Sequence, residues 1–219
     1  MKIGIIGAGN IGSNLTRRLT ALGHHVAVAN SRTPDTLADL VAETGASAVL
    51  ASQAAEGADV LVVTVPMKAV TGLPEDLLDG AADDVVVIDT CNYYPKQRDG
   101  GIAQIEEGMT ESQWVEEQLG VSVVKVFNGI YADHLLHKGL PAGSAGRIAL
   151  PVAGDDPDAK AVVMQLVDSL GFDPVDAGRL DESWRQQPGS PVYGADADAE
   201  GVRRLLAEAT PERGPEWRA

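Results

Sequence analysis

Short apolar runs alternate with amphipathic stretches along most of this chain, and the alternation predicts strands that are separated by helices. The apolar runs occupy residues 3–6, 25–29, 48–49, 59–66, 85–88 and 121–127. Nearly continuous apolar runs are typical of strands that are buried on both faces, as in a parallel sheet covered by helices. We therefore predict an α/β protein with a Rossmann-type, doubly wound, mostly parallel sheet and a small C-terminal extension.

Helical spacing of apolar side chains predicts the helices between these strands. The first helix follows the first strand directly and carries Ile11, Leu15 and Leu19 on one stripe. The other predicted helices cover residues 36–44, 52–56, 111–119 and 200–209. A strand then a helix then a strand is the repeating unit of a parallel sheet, which agrees with the predicted fold.

A glycine-rich turn joins the first strand to the first helix. It reads Gly7-Ala8-Gly9-Asn10-Ile11-Gly12, and all six residues are predicted to bind the cofactor. Gly7 permits the tight turn, Gly9 lets a pyrophosphate approach the backbone, and Gly12 lets the helix pack close to the strand. The helix N-terminus adds free N–H groups and the positive end of the helix dipole. The turn therefore predicts a dinucleotide site.

The end of the second strand indicates which dinucleotide is bound. In NAD-binding units a carboxylate at this place accepts a hydrogen bond from the ribose 2′-OH. This chain has Asn30, Ser31 and Arg32 there instead. A guanidinium forms charge-assisted bonds with a phosphate, and a serine hydroxyl adds another. We therefore predict NADP as the cofactor.

The later strand ends are expected to lie beside the same cofactor, because ligands bind at the carboxyl ends of parallel strands. Thr64, Val65 and Pro66 follow the fourth strand and Asn92 follows the fifth, and all four are predicted cofactor contacts. Cys91 is expected to be a buried small residue, since hydride transfer needs no thiol nucleophile.

The strand–helix–strand order continues beyond residue 127. Strands are predicted over 147–154 and 172–176, around a helix that begins near Pro157. We expect residues 1–127 to form the dinucleotide-binding domain, and residues 128–219 to form an extension that completes the sheet and the substrate site. The glycine-containing loop 141–146 could close over that site, and the charged tail after Pro211 is expected to be frayed.

Charge and cysteine content exclude several kinds of partner. The formal net charge of −15 argues against nucleic acid and anionic membrane surfaces. The one cysteine excludes an internal disulfide and a cysteine-based zinc site, and His134 and His137 lack the further ligands that a metal site would need. No apolar run approaches the roughly 20 residues that span a bilayer, and we expect a cytoplasmic protein without a metal.

Several of these segments together resemble the NADPH-dependent coenzyme F-420 reductases. They are the glycine turn, Asn30-Ser31-Arg32, Thr64-Val65-Pro66, residues 152–157 and residues 176–180, so the resemblance covers roughly residues 1–180. It implies hydride transfer between NADP and an 8-hydroxy-5-deazaflavin, and a homodimer. Those enzymes have a His-x-Ile-Pro segment after the sixth strand that helps to form the deazaflavin pocket. Here the matching place reads Asn128-Gly129-Ile130-Tyr131, in which Ile130 carries over.

The resulting prediction is an NADP-dependent oxidoreductase that acts on a small redox substrate such as a deazaflavin. Asn128 and Ile130 are expected to frame the two rings, and His134 to shuttle the associated proton, so these three are the predicted catalytic residues.

Two alternatives remain at this stage. One is an NADP-dependent reductase or dehydrogenase of a small imine, ketone or acid. That reaction needs a definite proton donor, and the candidates are Tyr93, Tyr94, Tyr131 and His134. The other alternative is a non-catalytic protein that binds NADP(H).

Overall fold

Six parallel strands form the central sheet of the computed structural model, which describes residues 1–219. In chain order the strands are β1 Lys2–Ile6, β2 His25–Ala29, β3 Ser47–Ala48, β4 Val60–Val63, β5 Val86–Asp89 and β6 Val123–Lys125. Their order across the sheet is β3-β2-β1-β4-β5-β6. The chain starts in the middle of the sheet and winds outward in both directions, which confirms the predicted doubly wound α/β fold.

Seven α-helices connect or flank these strands. They are α1 Asn10–Ala21, α2 Ala38–Thr44, α3 Ala103–Glu106, α4 Glu111–Leu119, α5 Ala132–His137, α6 Pro157–Ser169 and α7 Ala199–Glu208. None of them has the length and apolar composition that a membrane crossing requires.

The ends of the elements follow local chemistry. Helix α4 has its predicted limits because Thr110 caps it at 3.1 Å from the Gln113 N–H and Gly120 ends it in the left-handed conformation. Helix α2 is shorter than predicted, because a 3₁₀ turn over Pro34–Leu37 precedes it. After β5, Pro95–Asp99 form a single π-helical turn.

Two apolar layers cover the sheet. Ile3 and Ile5 of β1 face the layer that holds Leu15 of α1 and Val167 of α6. The opposite layer is built on Ile6, Leu61 and Val63 and is covered by α4 and by the connection that follows β4. Both faces of the strands are therefore buried, which explains their continuous apolar sequences.

The C-terminal part does not complete the central sheet, so that expectation is wrong. Strands β7 Ala149–Val152 and β8 Asp173–Asp176 form a separate parallel pair. This pair meets β6 through one antiparallel bridge, in which the Lys125 N–H donates to the Ala153 carbonyl at 2.8 Å. Pro151 and Pro174 lie inside the two strands and have no N–H to donate, which limits further pairing.

The C-terminal tail is packed against the protein rather than frayed. Arg213 forms an ion pair with buried Glu111 at 2.7 Å, and Lys96 donates to the Pro215 carbonyl at 2.7 Å. The ring of Trp217 lies 5.9 Å from that of Tyr94. The tail therefore supports the loop that follows β5.

Candidate functional site

The three glycines of the turn between β1 and α1 have different surroundings. Gly7 has φ of +109°, and a Cβ there would lie closer than 3.0 Å to the Thr64 carbonyl oxygen. A Cβ at Gly12 would also lie closer than 3.0 Å to a carbonyl oxygen, that of Gly7. A Cβ at Gly9 would meet nothing within 4 Å. Gly7 and Gly12 are therefore required by packing, and Gly9 is open toward a ligand.

The N-terminus of α1 fits an anionic group. Its N-cap residue is Gly9, which offers no side-chain acceptor to the free N–H groups of the first turn. That turn contains no acidic residue, and Gly9 and Asn10 are exposed. Ala8 and Ile11 are half-buried and pack against the apolar layer beneath. The turn therefore offers backbone donors to a pyrophosphate without side-chain competition.

The loop after β2 presents Ser31 and Arg32 to solvent. The Asn30 carbonyl oxygen Oδ1 accepts from the Arg32 N–H at 2.8 Å, and Asn30 Nδ2 donates to Thr36 Oγ1 at 2.9 Å. Both polar ends of Asn30 are therefore used to shape the loop. Arg32 is exposed, and its guanidinium takes part in no ion pair or hydrogen bond in the structure. It is free to meet a phosphate.

The ends of β4 and β1 lie side by side. The Thr64 N–H donates to the Ile6 carbonyl at 2.8 Å, and the Thr64 carbonyl closes on Gly7 as described above. Val65 is half-buried and Pro66 is exposed, so both continue the same edge. The structure thus brings Thr64 and Val65 against the glycine turn, and Pro66 follows them in the chain.

The ends of β5 and β6 are joined by side-chain amides. Asn92 Nδ2 donates to the Asn128 carbonyl at 2.8 Å, and Asn128 Nδ2 donates to Asn92 Oδ1 at 3.1 Å and to the Gln186 carbonyl at 2.7 Å. Gln186 Nε2 completes the set at 3.2 Å from Asn128 Oδ1. Phe127, just before Asn128, adopts φ of 61°, a costly conformation for an aromatic residue that usually marks a functional segment.

Two of the predicted catalytic residues have other surroundings than expected. Asn128 is buried and its amide is fully engaged, so it holds two strand ends together instead of facing a substrate. Ile130 is 8% exposed and packs in the apolar layer with α1 and α6. Both corrections have the same cause: the chain turns inward after β6, toward Gln186, which lies far along the sequence.

His134 belongs to a different cluster. Its Nδ1 lies 2.8 Å from Asp196 Oδ1, and its ring meets the edge of Tyr131 at a centroid distance of 5.1 Å. Asp196 also accepts from Lys138 at 2.7 Å. Burial opposes ionisation of Asp196, but its hydrogen bonds to Lys138 and His134 outweigh burial and lower the pKa of this carboxyl. His134 forms no hydrogen bond with Asn92 or Asn128.

The tyrosines after β5 face in different directions. Tyr93 is fully buried. Its hydroxyl donates to Glu106 at 2.9 Å and accepts from the Ile102 N–H at 2.9 Å. Burial raises the pKa of Tyr93 to about 12, so it is a structural residue. Tyr94 is half-buried and its hydroxyl contacts that of Tyr193.

Tyr193 and Gln186 were not found by sequence reasoning. They lie in the segment after Leu180, which has no helical or strand periodicity and forms a 3₁₀ helix over Leu180–Gln186 followed by turns. Tyr193 accepts from Asn92 Nδ2 at 3.4 Å. An isolated aromatic in an irregular polar stretch was the only available signal, and it does not indicate a site.

A buried ion pair supports the loop that carries Asn92. Lys125 and Asp89 are both inaccessible to solvent, with Nζ 3.1 Å from Oδ2. Asp89 also accepts from the Cys91 N–H and from Ser112 Oγ, each at 2.7 Å, and Lys125 donates to the Cys91 carbonyl. Burial is the main cause that raises the pKa of the Cys91 thiol. Cys91 is therefore an inert packing residue, as predicted.

Removal of the Lys125 ammonium is expected to destabilise the fold. Lys125→Met leaves Asp89 charged and buried without its cation, which costs about 3 kcal/mol in comparable pairs. Urea unfolding followed by circular dichroism measures the loss. Lys138→Met is the matched control, because Lys138 pairs with Asp196 at the surface and such pairs contribute about 1 kcal/mol or less. Equal losses in the two variants would contradict the importance of the buried pair.

The fold and the glycine turn together define the class of protein. A doubly wound parallel sheet with an open, uncapped glycine turn at its switch point is a Rossmann dinucleotide-binding domain. Residues 2–93 match the sequence model of the family described as NADP oxidoreductase coenzyme F420-dependent. The chain belongs to this family of NADP oxidoreductases, which confirms the resemblance seen in its motifs.

Similar proteins cover most of the chain. A protein of Sinorhizobium meliloti is 32% identical, with a TM-score of 0.75 over 89% of this chain and 94% of that one. A structure from Arthrobacter sp. FB24, provisionally named an F420-dependent NADP reductase, is 22% identical, with a TM-score of 0.67 over 95% and 91% of the two chains. The rat metalloreductase STEAP3 is 29% identical over 82% of this chain and 34% of its own length. The chain spans about half or less of the length of the curated relatives it matches.

Proposed function

We propose that the protein transfers a hydride between NADP(H) and a deazaflavin or a similar planar redox partner. The observation that carries the cofactor half is the free, exposed Arg32 on the loop after β2, the strand that pairs with β1 just before the uncapped N-terminus of α1. The family description supports the partner half.

The residues of the glycine turn would hold the pyrophosphate of the cofactor. Backbone N–H groups after Gly9 supply the donors, and Gly9 has no side chain to obstruct the phosphates. Ser31 and Arg32 would hold the 2′-phosphate, which a carboxylate at the same place would repel. The net charge of −15 disfavours any anionic ligand, so this local positive charge is needed.

The strand ends beyond the turn would flank the nicotinamide. Neighbouring strands lie about 4.8 Å apart, so the end of β5 is about 10 Å from the end of β1. Thr64 to Pro66 lie between them, and Asn92 stands at the far side with Tyr94 and Tyr193. The bound NADPH would supply the hydride, and the protein would supply proximity to the partner ring and exclusion of water.

A direct transfer assay tests the proposal. The protein is mixed with NADPH and an oxidised 8-hydroxy-5-deazaflavin, and the absorbances of both are followed. We expect equimolar loss of NADPH and of the oxidised deazaflavin, with a much lower rate for NADH. Tight NADPH binding without transfer at saturating concentrations would contradict the deazaflavin proposal.

A second candidate is reduction of a small imine or ketone by NADPH. The hydroxyl pair of Tyr94 and Tyr193 favours it, because such substrates need a proton at the nitrogen or oxygen. The same assay with a cyclic imine as acceptor distinguishes the two reactions. If neither acceptor is reduced, the result supports the alternative that the protein binds NADP(H) without catalysis.

A further inference from the structure

Two tyrosine hydroxyls meet beside the Asn92 amide, at the edge of the sheet where the proposed nicotinamide site ends. Tyr94 comes from the loop after β5, and Tyr193 comes from the segment between β8 and α7, 99 residues further along the chain. The hydroxyl oxygen of Tyr193 lies 3.4 Å from Asn92 Nδ2.

The hydrogen bonds around Tyr193 allow an arrangement in which its own proton is free. A phenol oxygen can accept up to two hydrogen bonds and donate one. Asn92 Nδ2 can only donate, so Tyr193 accepts from it. When Tyr94 also donates to Tyr193, both acceptor positions of Tyr193 are filled and its own O–H has no partner among the protein groups. That proton can be given to a ligand, and the two donors then stabilise the phenolate.

The surroundings of Tyr94 suit a residue that returns a proton to Tyr193. Its ring is half-buried, the Arg98 guanidinium lies 5.0 Å from the ring centroid, and Trp217 covers another side. Arg98 also donates to the Asn92 carbonyl at 2.5 Å, which fixes the loop. Tyr93 differs in both respects, since it is inaccessible and its hydroxyl is saturated by Glu106 and Ile102.

We propose that Tyr193 is the proton donor of the reaction and that Tyr94 returns the proton from solvent. This inference rests on the proposed hydride transfer and specifies its substrate class: an acceptor whose hydride-receiving carbon is conjugated to a C=N or C=O group. Burial is the main cause that raises the pKa of Tyr193, so the hydroxyl carries its proton at neutral pH and gives it up only when negative charge develops on the acceptor.

The step balances in atoms and charge. Bound NADPH would supply the hydride for a new C–H bond on the acceptor, and the π electron pair of the acceptor would move to its nitrogen or oxygen. That atom takes the proton from Tyr193, which leaves NADP⁺ and a phenolate. Tyr94 gives its proton to the phenolate and recovers one from water. The sum is one NADPH and one proton consumed for each acceptor reduced.

Substitutions that remove one hydroxyl test the inference. Turnover is measured with NADPH and either an oxidised 8-hydroxy-5-deazaflavin or a cyclic imine. We expect Tyr193→Phe to lower kcat about 100-fold, which is the usual contribution of general acid catalysis, with KM for NADPH unchanged. Tyr94→Phe should lower kcat about tenfold, because water can still protonate Tyr193. Ser169→Ala, which removes the hydroxyl of an exposed residue at the end of α6, should change neither constant more than twofold.

Chemical rescue separates proton donation from packing. Tyr193→Ala opens a space that a small aromatic molecule can enter, and phenol should restore kcat at least tenfold while toluene should not. Equal rescue by both would show that only the ring matters and would overturn the donor role. A Tyr193→Phe variant with wild-type kcat would also overturn it and leave the proposed function intact. Wild-type protein that binds NADPH but reduces neither acceptor would contradict both proposals.

Discussion

Arg32→Ala is expected to lower the affinity for NADPH about 100-fold and to leave the affinity for NADH within about threefold. Two charge-assisted hydrogen bonds to a 2′-phosphate are worth about 3 kcal/mol together, which corresponds to this ratio. The Arg32 side chain has no partner in the protein, so its removal should not affect stability. Isothermal titration with each nucleotide, together with a thermal unfolding curve, measures both quantities.

The matched control for this prediction is Arg204→Ala. Arg204 lies on α7 with its side chain 68% exposed, so the variant has the same change in net charge at a different place. If both variants weaken NADPH binding equally, the loss of affinity comes from the change in net charge and not from a contact of Arg32 with the nucleotide. If Arg32→Ala weakens NADH as much as NADPH, the guanidinium does not recognise the 2′-phosphate, and the assignment of NADP is wrong.

Gly9→Ala is expected to weaken nucleotide binding, whereas Gly12→Ala is expected to lower the stability of the fold. Gly9→Ala should fold with normal stability, since its methyl group meets nothing within 4 Å, but should bind NADPH at least tenfold more weakly because the methyl stands where the pyrophosphate approaches. Gly12→Ala should lose on the order of 4 kcal/mol of stability, because its methyl would overlap the Gly7 carbonyl oxygen. Denaturant unfolding and nucleotide titration of both variants give the comparison.

Gly72→Ala is the control for this pair, because a Cβ at Gly72 also meets nothing within 4 Å and lies in the connection after β4. It should change neither stability nor binding by much. A Gly9→Ala protein that binds NADPH normally would argue against the placement of the pyrophosphate. A fully stable Gly12→Ala protein would contradict the close packing of α1 on the turn.

The glycine turn and the exposed position of Arg32 could be predicted because their signals are local. Gly7, Gly9 and Gly12 act within one turn, and Arg32 follows directly after β2, so neighbouring residues determine their positions. The limits of α4 could be predicted for the same reason, since Thr110 and Gly120 mark its two ends. The strand at 59–66 was predicted too long, because it ends at Val63 and the apolar residues beyond line the site edge instead.

The substrate half could not be predicted in the same way. The polar pattern after residue 127 did not indicate that Asn128 is tied to Gln186 or that Ile130 turns inward to the core. The extension was expected to add strands to the sheet, but Pro151 and Pro174 lie inside a separate pair.

The sequence by itself therefore determined the class of fold, the glycine turn and the exposed residues after β2 that are proposed to meet a 2′-phosphate, since each depends on contacts between near neighbours. Only the tertiary structure decided which side chains share the second half of the site. Tyr94 and Tyr193 meet across 99 positions, and Asp89 and Lys125 across 36. Such pairs depend on how strands and irregular segments pack, and hydrophobic periodicity along the chain does not predict that packing.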